Sequence, residues 1–572
     1  MLLSGNEAIA RGAYEAGVRV ATGYPGTPST EVLETMVQWS EVHSQWSPNE
    51  KVALEVGLGA SLGGARALVT MKHVGLNVAA DPLFTSAYSG INGGLVVLVA
   101  DDPGMHSSQD EQDSRHYARA AKAPMLEPSD SAEALQMAVL GFELSERFDT
   151  PLLLRSTTRV SHAKSPVTFG ERVEIPLKPY VTDPTKYVMV PAHARERRKV
   201  LERRLAEMRE YAETAPVNRT EWRDTRVGII TAGVSYQYAR EAVPDASVLK
   251  LGLVFPLPER LIREFAGKVD RLYIVEELDP YLEEHVRALG IEVEGKSLLP
   301  VYGELDPGIV AAALGGEERL APAPFAGPLP GRPPVMCPGC PHRAVFYTLR
   351  ELGATVFGDI GCYTLGFSAP LSAMHSQLCM GAGIGMALGA EKAGHQGPKV
   401  AVIGDSTFVH SGITGLIDVV YNQGNTTVLI LDNSTTAMTG RQEHPATGRT
   451  LTGTPTHVLD LEGLVRAVGV EDVRVVDAYE MDALDSAIRA AVGHPKPSVV
   501  IVRRACALVD RKSWKPALTV DPDACLACGA CGTLGCPGIL PAAEGEQAPS
   551  IDPTLCTGCR ECAQICPFDA IG

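Results

Sequence analysis

The sequence of residues 399–433 reads KVAVIGDSTFVHSGITGLIDVVYNQGNTTVLILDN. An apolar run ends at Gly404 and Asp405, an amphipathic segment follows, and a second apolar run ends at Asp432 and Asn433. This pattern predicts a strand, a helix and a second, parallel strand. Because both strands of such a unit end at the same edge of the sheet, Asp405 and Asn433 are predicted to meet there as oxygen donors. Mg²⁺ carrying a diphosphate suits this environment, and ordinary turn chemistry is the alternative explanation.

The same stretch resembles the metal motif of thiamine diphosphate enzymes, in which the sequence GDG is followed later by NN. Ser406 replaces the final glycine and Asp432 replaces the first asparagine, whereas both side-chain ligand positions are kept. The backbone N–H of Ser406 can still reach a phosphate. The resemblance implies that a cofactor site is built from Gly404, Asp405, Ser406, Asn433 and the backbone carbonyl of Thr435, with Asp405, Asn433 and Thr435 as ligands of Mg²⁺.

Length and charge exclude several classes of protein. The chain has 572 residues, which favours three to five domains over one core. Its net charge of -17 argues against binding to nucleic acid or to anionic membrane surfaces. The N-terminus turns polar after three residues, without the pattern of a signal peptide, and no apolar run approaches the length of a membrane span. We expect a soluble, cytoplasmic protein.

Eight of the 13 cysteines lie in two runs between Cys525 and Cys566. The spacings resemble those of two-cluster bacterial ferredoxins, in which the fourth cysteine of each run serves the other cluster. One [4Fe–4S] cluster would then take Cys525, Cys528, Cys531 and Cys566. The other would take Cys556, Cys559, Cys562 and Cys536. One extra residue precedes Cys536, and zinc is the alternative metal. Either metal requires reduced thiols and hence a reducing compartment.

Residues 1–165 alternate helical patterns with short apolar strands, which predicts an α/β domain with a parallel sheet. The segment GYPGTPSTE follows one of these strands and contains Thr27. Ser29 or Thr30 is predicted to cap a helix that begins near Glu31. A tight strand-to-helix turn without any further role is the alternative.

Glu50 begins a predicted helix that is rich in small residues, KVALEVGLGASLGGA. Acidic residues in a first helical turn usually serve only the helix dipole. Thiamine enzymes, however, place one carboxylate against the aminopyrimidine ring of the cofactor, at the start of a small-residue helix of this kind. A later strand then ends in a glycine turn, which TMKHVG supplies at Gly75. Glu50 is the candidate carboxylate and Glu55 is the second choice.

The middle of the chain carries few signals of chemistry. Residues 166–225 are charged and proline-dotted around one connecting helix, with Leu201 and Leu205 on its predicted buried face. Residues 226–305 predict a smaller α/β domain. Residues 306–332 read as a proline-rich linker.

Residues 333–515 carry the opening motif and a glycine-rich run, MGAGIG, that contains Gly381 and Gly383. The run would allow close backbone approach to a cofactor, although tight helix packing explains it nearly as well. Residues 516–572 form the cysteine-rich tail.

GYPGTPSTE, TMKHVGLN, CPGCPHR and DNSTTAMTG occur in this order and precede the ferredoxin-like tail. In this combination the chain resembles the alpha subunits of indolepyruvate ferredoxin oxidoreductases, in the thiamine diphosphate-dependent 2-oxoacid ferredoxin oxidoreductase family. The resemblance covers essentially the whole chain. It implies an α/β fold with two thiamine-diphosphate-binding-type parallel-sheet domains, a smaller transketolase-C-terminal-like α/β domain and a C-terminal two-cluster ferredoxin-like domain.

The resemblance also implies an activity. An aryl pyruvate, CoA and oxidised ferredoxin would become aryl-acetyl-CoA, CO₂ and reduced ferredoxin. Glu50 would hydrogen-bond the pyrimidine ring, and Thr27 would hold the substrate carboxylate. The implied cofactors are thiamine diphosphate, Mg²⁺ and two [4Fe–4S] clusters. The family uses a smaller beta subunit, for which this sequence holds no equivalent domain, so we expect a hetero-oligomer.

Four further cysteines fall where related oxidoreductases hold a cluster close to the thiamine: Cys337, Cys340, Cys362 and Cys506. A third cluster there would relay electrons from the thiamine to the tail. The alternative is that the CPGC segment is only a turn and that these thiols are inert small hydrophobes. Cys379 shows that isolated cysteines occur in this chain.

Two rival functions remain open at this point. One is a non-redox thiamine-dependent decarboxylase whose clusters are structural. The other is an electron-transfer scaffold with a degenerate thiamine fold. Cluster reduction by substrate tests the first, and binding of thiamine diphosphate with Mg²⁺ tests the second.

Overall fold

A computed structural model describes residues 1–315, 327, 331–542 and 547–572 of the chain. The chain divides into two units, Met1–Ala326 and Gly327–Gly572.

Strands of the first unit alternate with helices through its first half, as the sequence predicts. The strands are β1 (Leu2–Ser4), β2 (Val20–Gly23), β3 (His43–Trp46), β4 (Ala67–Lys72), β5 (Leu95–Asp101), β6 (Met125–Leu126), β7 (Leu152–Thr157), β8 (Lys164–Pro166), β9 (Arg219–Glu221), β10 (Asp224–Ala232), β11 (Ala246–Leu251), β12 (Leu253–Phe255) and β13 (Arg271–Val275).

The helices of this unit include one long connecting helix, α10. They are α1 (Gly5–Glu15), α2 (Thr30–Met36), α3 (Glu50–Leu62), α4 (His73–Val78), α5 (Ala80–Ser89), α6 (Arg115–Ala121), α7 (Ser131–Phe148), α8 (Thr158–His162), α9 (Pro184–Tyr187), α10 (Pro191–Ala212), α11 (Ser235–Ala242), α12 (Glu259–Ala266), α13 (Tyr281–Ala288) and α14 (Pro307–Leu314).

A seven-stranded sheet, ordered β12-β6-β7-β5-β4-β2-β3, forms the centre of this unit. Its strands are parallel except β12, which runs antiparallel to β6. Central β5 is apolar along most of its length and buried throughout, as a parallel strand covered on both faces requires. Because β12 lies within the predicted 226–305 domain, that region supplies an edge strand to the first sheet.

The smaller sheet is ordered β13-β10-β11-β9, with β9 antiparallel and the others parallel. Its hydrophobic core includes Val310 and Ala311 of α14, which lies beyond the predicted boundary at 305. The expected linker therefore begins later than the sequence suggests, because the apolar face of α14 packs on this core. The remainder of that predicted linker, 316–326 and 328–330, lies outside the described residues.

Two local predictions for this unit have different outcomes. The apolar face of α10 is buried as expected, with Leu201 and Leu205 at most 1% exposed. Helix α2 begins at Thr30 with Ser29 in the N-cap position, but the Ser29 side chain makes no capping hydrogen bond. Its hydroxyl instead donates to the Gly26 carbonyl at 2.8 Å, which ties the GYPGTPSTE turn to itself.

Strands of the second unit are β14 (Thr355–Phe357), β15 (Lys399–Gly404), β16 (Thr427–Asp432), β17 (Asp472–Asp477), β18 (Ser498–Arg503), β19 (Ile539–Leu540) and β20 (Ser550–Ile551). Its helices are α15 (His342–Leu352), α16 (Ala382–Lys392), α17 (Asp405–Thr407), α18 (Ile413–Tyr421), α19 (Leu461–Val468), α20 (Met481–Val492) and α21 (Glu561–Gln564).

The five-stranded sheet β14-β15-β16-β18-β17 is parallel throughout. The predicted strand, helix and parallel strand are all present around Asp405. A π-helical turn, Phe408–Gly412, joins α17 to α18. Such turns are rare in helices and concentrate at functional sites.

The cysteine tail packs on the same hydrophobic core as one face of this sheet. Leu534, Cys562 and Ile571 of the tail belong to a core cluster with Phe346 of α15 and Leu484 of α20. The tail is therefore held against the sheet domain by shared apolar burial.

Among the described residues, no helix is long and apolar enough to cross a bilayer.

Candidate functional site

The oxygen donors of the second unit lie where β15 and β16 end. Gly404 pairs with Leu431 across the two strands, so the residues that follow leave the sheet at one edge. The Ser434 N–H donates to Asp405 Oδ2 at 2.9 Å and links the two loops. Asp405 and Asn433 are both buried. The structure thus brings together the two loops that carry the predicted metal ligands.

The carboxylate of Asp405 lies in an environment that favours a bound cation. Burial raises its pKa above the ordinary value, the neighbouring His444 opposes the shift, and the charge of Asp432 adds to it. His444 Nε2 lies 3.2 Å from Asp405 Oδ2. The Ala446 N–H donates to His444 Nδ1 at 3.4 Å, so the other ring nitrogen, Nε2, faces the carboxylate. The buried negative charge of Asp405 is unfavourable, and the nearby charge of Asp432 makes it more so. A bound cation would compensate this charge.

Asn433 is held from both sides. Its Oδ1 accepts the Thr435 N–H at 3.2 Å, and its Nδ2 lies 3.3 Å from His342 Nε2. Burial lowers the pKa of His342 to about 4, so the ring is neutral at pH 7 and its Nε2 can accept the amide proton. The sequence analysis missed this histidine because its partner lies 91 positions away in the chain.

Asp359, which the sequence analysis did not select, anchors the glycine-rich run. Its Oδ1 accepts N–H groups of Ile360 at 2.8 Å and Gly381 at 2.9 Å, and its Oδ2 accepts that of Gly383 at 3.4 Å. Burial raises the pKa of Asp359 to about 6 against these hydrogen bonds. The GDI sequence at the end of β14 is the signal that could have identified it.

Gly381 and Gly383 need the absence of a side chain for different reasons. Gly381 has φ +87°, and a Cβ there would lie 2.6 Å from the Cβ of Ser411 in the π-helical turn. A Cβ on Gly383 would lie 2.8 Å from two backbone carbonyls at the end of β14. The run therefore packs helix α16 closely against the sheet edge, beside Asp405.

The four separate cysteines are brought together by the fold. Burial raises the pKa of Cys362 to about 11, and the neighbouring thiols of Cys506 and Cys337 are the next causes of this rise. Burial likewise raises the pKa of Cys340, with Cys362 contributing. The Cys506 N–H donates to the backbone carbonyl of Asn433 at 2.9 Å. This quartet thus borders the metal-site loop directly.

The CPGC loop also borders the tail. Gly339 has φ +65°, and a Cβ there would lie 2.1 Å from Thr557 Oγ1, so only glycine allows this contact. Thr557 lies between Cys556 and Gly558 in the second tail run. The Tyr479 hydroxyl donates to the Gly339 carbonyl at 2.6 Å and fixes the loop from the other side.

The structure brings the tail cysteines close together in two places. One apolar cavity is lined by three cysteines of the first run and the last of the second: Cys525, Cys528, Cys531 and Cys566. Burial, followed by the thiols of Cys536 and Cys556, raises the pKa of Cys562 to about 12. Cys536 also contributes to the raised pKa of Cys559. No disulfide ties any of the 13 cysteines, so all their thiols are available to metal clusters.

In the first unit, the geometry separates Glu50 from Glu55. Glu50 is 4% exposed and begins helix α3. Asn49 caps this helix, because its side chain accepts the Val52 N–H at 2.9 Å. A Cβ on Gly75 would lie 2.7 Å from Glu50 Oε1, so this glycine makes room for the carboxylate. Gly75 lies within helix α4, where the sequence predicts a glycine turn. Glu55 is exposed and paired with Lys51. The environment favours Glu50 as the functional carboxylate.

Thr27 lies at the neighbouring strand end, after β2, and is half-buried. Its carbonyl accepts the Ser107 hydroxyl at 3.4 Å. Lys72 at the end of β4 donates from Nζ to the Ser107 carbonyl at 3.0 Å. Burial lowers the pKa of Lys72, and the charges of Asp102, Asp110 and Glu50 oppose that shift. The sequence analysis gave no role to Lys72, although it lies in the TMKHVG segment.

Three family models match separate parts of the chain. "Pyruvate flavodoxin/ferredoxin oxidoreductase, thiamine diP-bdg" matches residues 11–221. "Thiamine pyrophosphate enzyme, C-terminal TPP binding domain" matches residues 359–502, and "4Fe-4S binding domain" matches residues 549–572. The predicted fold class, with parallel-sheet thiamine-type domains and a ferredoxin-like tail, is confirmed.

Similar curated proteins span the whole chain. Indolepyruvate oxidoreductase subunit IorA of Archaeoglobus fulgidus is 43% identical over 100% of this chain and 97% of its own. The proteins of that name from Thermococcus kodakarensis and Methanothermobacter marburgensis are 41% and 42% identical, over 96% and 97% of their lengths.

A solved 2-oxoglutarate:ferredoxin oxidoreductase from Magnetococcus marinus is more distant. It matches 55% of this chain and 64% of its own, with a TM-score of 0.46 and 16% identity.

Proposed function

The chain belongs to the family of indolepyruvate oxidoreductase subunits IorA, and from that premise we propose that it converts aryl pyruvates and CoA to aryl-acetyl-CoA and CO₂. The chain is a thiamine diphosphate-dependent 2-oxoacid oxidoreductase with iron–sulfur electron transfer. The proposal adds the aryl substrate, CoA, Mg²⁺, ferredoxin as acceptor and a smaller beta subunit as partner in a hetero-oligomer. We also place the protein in the cytoplasm, because thiols that ligate clusters need a reducing compartment.

One observation carries the proposal. The Cys506 N–H is hydrogen-bonded to the carbonyl of Asn433 at 2.9 Å, so a cysteine of the quartet and a candidate metal ligand are joined without an intervening residue. A decarboxylase with purely structural clusters would not require this adjacency. A route that takes electrons from the cofactor to the tail does require it.

The residues at the sheet edge fit Mg²⁺ and a diphosphate. Asp405, Asn433 and the Thr435 carbonyl are oxygen donors, the type that Mg²⁺ prefers, and the buried Asp405 carboxylate calls for a cation. When bound, thiamine diphosphate supplies an electron sink for decarboxylation of a 2-oxo acid. Ser406 and Gly404 would border the diphosphate.

Residues of the chain then have distinct tasks. Glu50 would hold and release a proton at Oε1 toward the pyrimidine nitrogen, in the space that Gly75 leaves open. Thr27 would orient the substrate by donating its hydroxyl proton to the substrate carboxylate. Asp359 holds the Gly381–Gly383 backbone in place beside the site.

The cysteines fit three [4Fe–4S] clusters in sequence. The donor set is four thiols in each case, without histidine, as such clusters require. The first group is the quartet beside the metal site: Cys337, Cys340, Cys362 and Cys506. The second, packed against the CPGC loop, is Cys536, Cys556, Cys559 and Cys562. The third lines the cavity in the tail: Cys525, Cys528, Cys531 and Cys566. Electrons would pass through them in that order and leave to ferredoxin.

An anaerobic assay tests the proposed activity. The cofactor-loaded protein, with and without the smaller subunit, is given CoA, a viologen dye and one of indolepyruvate, phenylpyruvate, pyruvate or 2-oxoglutarate. Burying an aromatic side chain stabilises binding by about 1.5–3 kcal/mol, which predicts a kcat/KM for aryl pyruvates about 10- to 150-fold above that for pyruvate. An equal kcat/KM for pyruvate contradicts the aryl assignment. CO₂ release without dye reduction supports the non-redox decarboxylase instead.

A further inference from the structure

Arg343, the last residue of the CPGCPHR motif, lies between two of the cysteine groups. It is 2% exposed, and among the described residues no carboxylate comes within direct ion-pair distance of its guanidinium. Its charge nevertheless acts on the buried carboxylate of Glu561, where it opposes the rise in pKa that burial causes. A buried cation that makes no direct ion pair is costly, so the hydrogen bonds that hold it need an explanation.

The guanidinium ties together backbone from two loops. Its Nη2 donates to the carbonyls of Met336 at 2.8 Å and Cys337 at 3.2 Å, in the loop of the first quartet. Its Nη1 donates to the carbonyl of Leu534 at 2.7 Å. Leu534 ends the 3₁₀ turn Ala530–Leu534, two residues before Cys536. One side chain thus spans the CPGC loop and the tail loop that supplies a cysteine to the second group.

The planar fork of arginine suits this task, and lysine does not. Arginine donates in two fixed directions at once, whereas the lysine ammonium is a single point charge on a flexible stem. The charge also has an electrostatic consequence. A cluster that gains an electron becomes more negative, so a fixed positive charge between two clusters stabilises their reduced states and raises their reduction potentials.

We propose that Arg343 is a positioning residue for electron transfer, which fixes the spacing between the Cys337 loop and the Cys536 loop and supplies the positive charge between them. The inference rests on the proposed relay through the quartet that includes Cys337 and Cys340. It adds to that relay a residue that ligates no metal and contacts no substrate.

Arg350 lies farther along the same helix, α15, and provides a matched control. It also donates to the tail, to the Thr533 carbonyl at 3.1 Å, and to the Pro370 carbonyl at 2.9 Å. Its charge, however, is paired with Glu351 at 2.9 Å and is partly exposed. Arg350→Gln therefore removes a tether and a charge next to the same turn, without removing the buried guanidinium of Arg343.

The experiment compares Arg343→Lys, Arg343→Gln and Arg350→Gln as anaerobically purified holoproteins. Iron and acid-labile sulfide are counted first, and the reduction potentials of the clusters are measured by EPR-monitored redox titration. Rapid mixing then measures how fast a 2-oxo acid reduces the tail clusters, with dithionite as the direct reductant for comparison.

We expect Arg343→Gln to lower the potentials and to slow reduction of the tail by the 2-oxo acid about tenfold to a hundredfold. Arg343→Lys should keep the potentials near those of the unaltered protein but still slow the transfer. Arg350→Gln should change neither. If Arg343→Gln does not load its clusters, Arg343→Lys carries the test through its rate alone.

The failures of the two proposals can be told apart. About twelve irons per chain in the unaltered protein, with unchanged potentials and rates in Arg343→Gln, overturn the role of Arg343 alone. About eight irons in the unaltered protein overturn the cluster of the Cys337 quartet, and the role of Arg343 with it. Equal slowing by Arg350→Gln also overturns the role, because tethering of the turn would then suffice.

Discussion

The cysteine tail and the metal-site edge belong to the same unit but are assembled in opposite ways. All eight tail cysteines lie in two short runs whose spacing resembles that of two-cluster ferredoxins, and that resemblance groups them. The edge draws Asp405, Asn433 and the Cys506 quartet from loops that are far apart in the chain and adjacent only because the strands are parallel. Local spacing therefore reveals the tail, whereas the edge depends on the whole sheet. Damage to one region should leave the other intact.

Asp405→Ala is the most severe test of that independence. Asp405 is the only charged side chain among the proposed Mg²⁺ ligands, so its loss should abolish cofactor binding and activity. The tail should keep its iron, because its cysteines do not involve the sheet edge. Thiamine diphosphate and iron are measured in the purified variant. Retention of thiamine diphosphate would contradict the metal assignment.

Glu50→Gln extends the comparison to the first unit and tests its candidate catalytic carboxylate. The variant should bind cofactor but lose about 10²- to 10⁴-fold in rate, because an amide cannot exchange a proton with the pyrimidine nitrogen. Hydrogen–deuterium exchange at the thiazolium carbon of the bound cofactor is the direct measurement. Glu55→Gln, at an exposed position on the same helix, is the control. Normal exchange in Glu50→Gln with loss in Glu55→Gln would reverse the two roles.

Cys337→Ser sharpens the boundary between the two cysteine regions. If the quartet holds a cluster, iron should fall from about twelve to about eight per chain while the tail keeps its own. Reduction of the tail by a 2-oxo acid should slow, and its reduction by dithionite should persist. The loss of activity should be smaller than in Asp405→Ala, because the cofactor site remains whole. An iron content near eight that Cys337→Ser leaves unchanged would remove the relay.

Asp359 gives the smallest effect, and one that depends on pH. Burial raises its pKa from the ordinary 3.8 to about 6, so the folded protein retains a proton that the unfolded chain releases between about pH 4 and 6. This contribution to stability is complete below pH 4 and is lost as the pH rises through 6. The melting temperature of the cofactor-free protein should therefore fall with rising pH in this window more steeply than that of Asp359→Asn. Parallel pH profiles for the two proteins would refute the shift.

Sequence reasoning reached the elements whose signals are local. The strand, helix and strand around Asp405 follow from apolar periodicity, and the small-residue helix that starts at Glu50 follows from its composition. The grouping of the tail cysteines follows from their resemblance to two-cluster ferredoxins, and the cavity lined by Cys525 and Cys566 agrees with it. Whole-chain resemblance supplied the family and the enzyme class, which the similar proteins confirm.

Some features required three dimensions. The sequence could not place β12 in the first sheet, α14 in the core of the second, or His342 beside Asn433. Nor could it show that the Gly339 backbone lies against Thr557, because that contact joins segments with no common pattern.

The sequence by itself determined the residue types and the order of the elements, since periodicity, caps and cysteine spacing act within a few turns or strands of the chain. Only the tertiary structure decided which loops meet. The parallel register of β15 with β16 brings Asp405 to the Asn433 loop, and the shared core brings the tail to the CPGC loop and Arg343. The physical reason is that burial of apolar faces selects the packing of whole elements, and the polar contacts between distant loops follow from that packing.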